Sequence, residues 1–251
     1  MGPLISIITV TFNSEKTIER TLRSVASQTY KHIQHIVIDG ASTDGTLAII
    51  EKYRHGIAHF SSAPDSGMYD AINKGLRAAK GKIIGLMHSD DLFARDTVLA
   101  EIATQLNDSQ VDGIYGDAAF FSPAAPEKTV RLYSSAKFSP GRLAWGWMPA
   151  HPTIYLKNQV YEELGEFKTD YAIAADYDFV CRIFLRKQFR ILYVPKVLVK
   201  MQTGGISTRG WRATVKLNQE VVRACRENGI STNILKVLTK YPSKVMELFA
   251  R

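Results

Sequence analysis

The feature that most narrows the fold is an alternation of short apolar runs with segments of helical spacing in the first third of the chain. Leu4 to Val10 (LISIITV) is a β-branched run bounded by Pro3 and by the polar Asn13-Ser14, the mark of a buried strand. Ser14 stands where it can N-cap a helix that carries Thr17, Ile18, Leu22, Val25 and Ala26 at helical spacing. Ile33 to Ile38 predicts a second strand, Thr46 to Arg54 a second helix and Ile57 to Ser61 a third strand. Tyr69 to Ala79 then predicts a third helix, stopped near Gly81, and Ile83 to Met87 a fourth strand. Strands alternating with helices in this way predict an α/β fold: a mostly parallel, Rossmann-like sheet with helices on both faces.

Beyond Val111 the pattern is less regular. Ile114 to Asp117 reads as a strand, residues 122–126 as a loop, Val130 to Tyr133 as a strand and Asp176 to Leu185 as a helix. Arg190 to Val199 reads as a strand pair or as one strand broken at Pro195. Trp211 to Asn228 and Ile234 to Phe249 read as two C-terminal helices. Without repeats, low-complexity tracts or a clear linker, the parse is one compact domain over 1–205 with a C-terminal helical extension over 206–251.

The charge is informative only once it is divided. The chain carries 32 Lys and Arg against 24 Asp and Glu, a net +8. Residues 1–181 hold 17 basic and 21 acidic side chains, and residues 182–251 hold 15 basic and 3 acidic ones. A mildly acidic body thus carries a basic C-terminal quarter, suited to phosphates of a small substrate, of anionic lipid or of nucleic acid. A hydrophobic content of 45% excludes disorder, and two cysteines exclude a disulfide scaffold. No apolar run approaches the ~20 residues of a bilayer span, and Met1-Gly2-Pro3-Leu4 lacks the start of a signal peptide, so a cytoplasmic location is expected.

Polar residues gather just after three of the strands, at Thr11–Asn13, Asp39–Asp44 and His88–Asp91. Ligands of open α/β sheets bind beyond those strand ends, so the three loops point to one site. Asp90 and Asp91 suit a hard divalent ion, or one of them simply caps the next helix. The loop from Asp39 to Thr46 has glycines for a tight turn and short polar side chains for a ribose or base edge. Neither a G-x-G-x-x-G nor a G-x-x-x-x-G-K-[ST] occurs, which removes the main support for dinucleotide and P-loop readings.

Six segments taken in order resemble the family 2 glycosyltransferases of GT-A fold: Ser6–Asn13, Ser24–Tyr30, Ile38–Thr46, Pro64–Gly75, Met87–Asp91 and Ile173–Phe179. The resemblance implies an inverting transfer of a sugar, of hexosyltransferase type, from a nucleoside-diphosphate sugar to a hydroxyl acceptor in polysaccharide or surface-glycan assembly. It divides the body into a nucleotide-sugar-binding part, about 1–115, and an acceptor and catalytic part, about 116–205. It sets Thr11, Phe12 and Asn13 by the nucleotide, Asp39 on the base, Asp44 in the wall of that pocket, and Asn73 in the donor site. His88, Ser89 and Asp90 take the three positions of the family's Asp-x-Asp motif. Asp90 is then the ligand of Mn²⁺ or Mg²⁺, with Asp91 second to it, and His88 replaces the aspartate that faces the ribose. Asp176 matches the second member of the family's Glu-Asp pair and is the implied general base, while Ala175 replaces the glutamate.

The basic end gains uses within this reading. Arg209 or Arg212, at the end of a Gly-rich stretch from Thr203, suits the donor diphosphate, and His151 suits the acceptor pocket. Ile234 to Phe249 mixes apolar residues with lysines, as a helix on an anionic membrane surface does, and a lipid-linked glycan acceptor would fit it. The departures at His88 and Ala175 keep open a nucleotide-sugar-binding relative without catalysis. A nucleic-acid-binding protein is the remote alternative, since no nucleic-acid module is recognisable and no nucleic-acid partner is expected.

Overall fold

The first apolar run forms a fully buried strand, β1 (Ile5–Thr11), in the computed structural model, which describes residues 2–185, 188–204 and 210–240. It pairs in parallel with β2 (Ile33–Asp39) on one side and β4 (Ile83–Leu86) on the other, and β3 (His59–Ser62) continues in parallel beyond β2. The crossovers are α1 (Ile18–Ala26), α2 (Thr46–Lys52) and α3 (Met68–Ala78). Side chains alternate across the sheet as the pleat requires. Ile8, Val10, Ile36 and Ile38 join Ile72 of α3 in one core, and Ile5, Ile7 and Ile83 join Val25 of α1 in another. Gly75 lets α3 lie close on β1, because a β-carbon there would overlap the side chain of Ile8.

The second half completes a mixed sheet. β8 (Tyr155–Lys157) runs antiparallel to β4, β6 (Gly113–Ser122) antiparallel to β8, and β9 (Ile191–Gln202) parallel to β6. Among the described residues the order is β3-β2-β1-β4-β8-β6-β9-β5, where β5 is Leu92–Phe93, and β7 (Ala125–Tyr133) forms a hairpin with β6. Helices α4 (Val98–Gln105), α5 (Asn158–Leu164) and α6 (Ala175–Leu185) cover it. The expected α/β architecture is therefore present.

Several local expectations are corrected. Ser14 does not cap α1 with its side chain; its Oγ lies 3.1 Å from the Phe12 carbonyl and 2.9 Å from Ser89 Oγ. Residues 122–126 are mostly strand, because the hairpin turn occupies only the gap between Ser122 and Ala125. Pro195 does not break β9. The register jumps from Tyr115↔Tyr193 to Asp117↔Val197, so the proline sits in a bulge where no ladder donor is needed.

The C-terminal helices are docked on the body. α7 (Gly210–Glu227) buries Val221, Ala224 and Cys225 against Val180, Cys181 and Ile183 of α6 in one core cluster, and both cysteines are free thiols. α8 (Ile234–Leu238) is capped by Asn233, whose Oδ1 accepts from Lys236 N at 2.9 Å. The remainder of the expected last helix, from residue 241, lies outside the described residues. No helix among the described residues is long and apolar enough to cross a membrane.

Candidate active site at the carboxyl ends of the strands

The register sets Thr11, Asp39 and Ser62 side by side at the ends of β1, β2 and β3. The loops that follow are tied together. Asn13, which adopts a left-handed backbone (φ 47°), donates its N–H to Ser42 Oγ at 2.8 Å and accepts at Oδ1 from Thr43 N at 2.9 Å. Ser14 Oγ reaches Ser89 in the loop after β4 at 2.9 Å. Asp44 accepts from Glu15 N and Thr46 N at 3.1 and 3.0 Å, and so braces the loop.

Two expected donor contacts have contrasting surroundings. Phe12 is 62% exposed on the loop after β1, an open aromatic face of the kind that stacks on a base. Asp39 is fully buried, and its carboxylate accepts from Ser42 N, Ser42 Oγ and Ser62 Oγ at 2.9, 2.5 and 2.6 Å. Beside them stands Asp65. Its Oδ1 accepts from Gly67 N at 2.9 Å, and its Oδ2 comes so near Gly40 that a β-carbon there would lie 2.7 Å away. Asn73 is not drawn into this group: its amide donates to the Phe167 carbonyl and accepts from the Phe167 N–H, at 2.8 and 2.9 Å. It ties α3 to the segment before α6.

The loop after β4 presents Ser89 and Asp90 half-buried and turns Asp91 inward. Burial, then the neighbouring charge of Asp90, pushes the Asp91 carboxyl well above the usual carboxylate range. Among the described residues, one Asp91 oxygen and the Tyr155 hydroxyl are both buried without a hydrogen-bond partner.

His88 points toward the acceptor half, where its Nε2 is hydrogen-bonded to His151 Nε2 at 2.6 Å. On the other side of the same ring, His151 Nδ1 lies 3.2 Å from Asp176 Oδ2. Burial, with the adjacent His151, holds His88 down to about 3 against the opposing pull of Asp176, so its imidazole is neutral. Asp176 is thereby joined through two imidazoles to the loop after β4, which also carries Asp90.

Three elements position Asp176. It lies in the first turn of α6, where the helix N-terminus favours a negative charge, and its Oδ1 accepts from Tyr177 N at 2.8 Å. Tyr69 of α3 donates to the Ile173 carbonyl and lies 3.4 Å from Asp176 Oδ1. Glu220 of α7 accepts from the N–H groups of Ala172, Ile173 and Ala174 at 2.9, 2.8 and 3.0 Å. Asp178, the other acidic residue of that turn, is fully buried in ion pairs with Lys168 and Arg182, both at 2.9 Å. Its role is to hold the fold.

Sequence reasoning missed Glu220 and Asp65, and it gave His151 a place in the acceptor pocket with no link to Asp176. Among the described contacts none joins Arg212 to this group; it is exposed at the start of α7 with its guanidinium 5.4 Å from the Trp211 ring centre. Arg209 lies outside the described residues.

Comparison with known proteins adds a second line of support. The family model described as glycosyl transferase family 2 matches residues 6–190. A glycosyltransferase of Mycobacterium tuberculosis is 32% identical over 187 residues, covering 73% of this chain and 70% of the relative. A PGL/p-HBAD biosynthesis glycosyltransferase of Mycobacterium bovis is 26% identical over 211 residues, 82% of this chain and 80% of the relative. Among solved structures, S. aureus TarS 1–349 in complex with UDP-GlcNAc superposes with a TM-score of 0.69 at 21% identity, covering 88% of this chain and 66% of that one. The mannosyltransferase PcManGT of Pyrobaculum calidifontis, in complex with GDP-Man and Mn²⁺, gives 0.66 at 22% identity, covering 90% of this chain and 64% of that one. The chain thus spans just under two thirds of both neighbours, and it spans 39% of a longer S. aureus TarS chain.

Proposed function

The chain belongs to glycosyl transferase family 2 and is a glycosyltransferase that uses a nucleotide sugar, and from that premise we propose an inverting transfer with Asp176 as the general base. The observation that carries this reading is the row Asp176–His151–His88, which ends in the loop that bears Asp90. In the proposed division of labour, residues 1–115 bind the donor, 116–205 hold the acceptor and the base, and the helices of 206–251 support that base.

The chemistry runs in one displacement. The acceptor oxygen attacks the anomeric carbon, its proton passes to Asp176, and the sugar–phosphate bond breaks on the opposite face. Phe12 stacks on the base, while Thr11, Asn13 and Asp44 shape the pocket around the nucleoside, with Asp39 at its floor. Ser89 lines the ribose and diphosphate side, and His88 turns from it toward His151.

A divalent ion fits this site in one particular way. Among the described residues no group of three or more His, Cys, Asp or Glu is arranged to enclose a metal. Asp90 is a partly exposed carboxylate, and Mg²⁺ or Mn²⁺ is often held by one or two carboxylates together with substrate phosphates. Asp90 would hold such an ion, which when bound would stabilise the departing diphosphate. The acceptor we propose is a glycan or lipid-linked hydroxyl compound; the M. bovis relative is named a PGL/p-HBAD biosynthesis glycosyltransferase.

A thermal-shift screen of UDP-, GDP-, dTDP- and CMP-sugars with and without Mn²⁺ tests the donor side, since a ligand that binds only the folded state raises its melting temperature. A Mn²⁺-dependent shift with one nucleotide class is expected, and Asp90→Ala should remove the Mn²⁺ dependence. An unaltered Mn²⁺-dependent shift in that variant would sink the assignment of Asp90.

A further inference from the structure

The positive charge of this protein does not reside only in its last quarter. Residues 128–150 contain Lys128, Arg131, Lys137 and Arg142 and no acidic residue, with Glu127 just before them on β7, and residues 228–240 add Lys236 at the surface, while Lys240 is buried. The fold brings these two stretches together. Pro140–Trp145 is a short 3-10 turn, and Thr232 Oγ1 donates to its Ala144 carbonyl at 2.5 Å. Val237 and Lys240 of the α8 segment lie against Gly146, and Lys236 Nζ stands 5.7 Å from the centre of the Trp145 ring.

The same face is apolar where it is not basic. Leu235 is 73% exposed, Leu132 52% and Trp145 43%, and Val130 of β7 and Ile234 and Leu238 of α8 are exposed as well. A groove is lined by Val130 and Leu132 of β7 and by Lys137, Arg142, Trp147 and Met148 of the loop that follows. Soluble proteins seldom leave large aliphatic and aromatic side chains in one contiguous patch unless something covers it.

We propose that this face, formed by β7, the loop 134–148 and α8, docks on a bilayer rich in anionic lipid. Aliphatic side chains enter the boundary between headgroups and acyl chains, Trp145 sits at the interface, and the lysines and arginines meet lipid phosphates. Exposed leucines beside a rim of cations, with Glu127 the one acid on β7, favour a lipid surface over nucleic acid, which takes cations and stacking rings but has no use for Leu132 and Leu235. Met148 lines this groove and is three residues from His151, a reach of at most about 11 Å along an extended chain. This step rests on the transferase reading above: an acceptor carried by a membrane lipid, with an anionic group at the water interface, would be delivered to the base along this groove.

Co-sedimentation of the full chain with vesicles tests the proposal, using phosphatidylcholine alone and phosphatidylcholine with about a third phosphatidylglycerol. Binding at least tenfold stronger to the anionic vesicles is expected, weakened in ~0.5 M NaCl as charge screening requires. Leu132→Asp with Leu235→Asp should weaken it about tenfold, and so should Lys236→Glu alone, which leaves the apolar patch in place. Unfolding midpoints near that of the parent show that the variants fold. Equal binding to both vesicle types, no vesicle binding, anionic-vesicle binding unchanged in both variants, or salt-sensitive binding to a DNA duplex in place of vesicles would each overturn the proposal. The donor-induced thermal shift, read on the same preparations, reports on the transferase reading alone, so the two can fail separately.

Discussion

An acceptor hydroxyl loses its proton as its oxygen attacks, so the carboxylate that accepts that proton must be both charged and aimed. Asp176 has the helix N-terminus of α6 to favour its charge, and its two oxygens face Tyr177 N and His151 Nδ1. Asp176→Asn keeps the shape and removes the basicity. Transfer should fall by about 10²–10⁴-fold, the range of a general base, while the donor-induced thermal shift stays within error of the parent. Near-normal turnover would remove Asp176 from the role. His151 acts through Asp176 and through His88, both of which it touches. His151→Gln should therefore lower kcat by a smaller factor than Asp176→Asn, on the order of tenfold to a hundredfold, with little change in the donor KM. A rise in KM at constant kcat would instead mark His151 as a donor contact.

At the scale of elements, α7 holds the peptide that leads into α6. Glu220 is nearly fully buried and takes three backbone N–H groups of Ala172–Ala174. Those hydrogen bonds hold its carboxyl below its ordinary range despite the opposing effect of burial. Glu220→Gln turns an amide NH₂ toward N–H donors, and the loss should be about 2–3 kcal/mol in unfolding free energy, read from the urea midpoint. A loss below about 0.5 kcal/mol would show that the loop keeps its place without the carboxylate. Deleting 206–251 should cost more, because Val221, Ala224 and Cys225 belong to the core shared with α6. A soluble 1–205 fragment with the parent's melting temperature would show the extension to be dispensable. The residue pattern revealed elements long enough to carry a period of their own: β1 to β4, the three crossover helices, α6, β9 and α7, and parts of β6 and β7. β8 is three residues long and β5 two, too short for any period to register, and both exist through pairing with β4, β6 and β9. The polar loops of the site were legible for the same reason that β1, β2 and β4 were, since each loop ends a periodic run. The contact of His151 with His88 spans 63 residues, and no local pattern encodes it.

For the molecule as a whole, acidification is the condition under which its buried groups act together. His35 lies on β2 with Nε2 3.1 Å from Thr9 Oγ1, and burial pushes its pKa down to about 4. In the unfolded chain a histidine titrates near ~6.5. Between these values the unfolded chain binds a proton that the folded one refuses, so the stability present above pH ~6.5 is lost as pH falls toward about 4. The slope for one such group is at most about 1.4 kcal/mol per pH unit. Glu101 and Glu227 act at lower pH: hydrogen bonds from Arg95 and Lys168 respectively hold each at about 2. Both carboxylates are depressed from an ordinary value near 4.5, so their contribution is present above that value and fades toward about 2, reduced by their partial exposure. The melting temperature should therefore decline in two stages, first from pH 6.5 to 4.5 and then more acid. His35→Gln retains a polar partner for Thr9 and cannot take up a proton in that range. Melting curves at pH 7.5, 6.5, 5.5 and 4.5 should show a flatter first stage in the variant, with the more acid decline unchanged. An identical slope in both proteins would mean that His35 does not hold its proton-free state on folding.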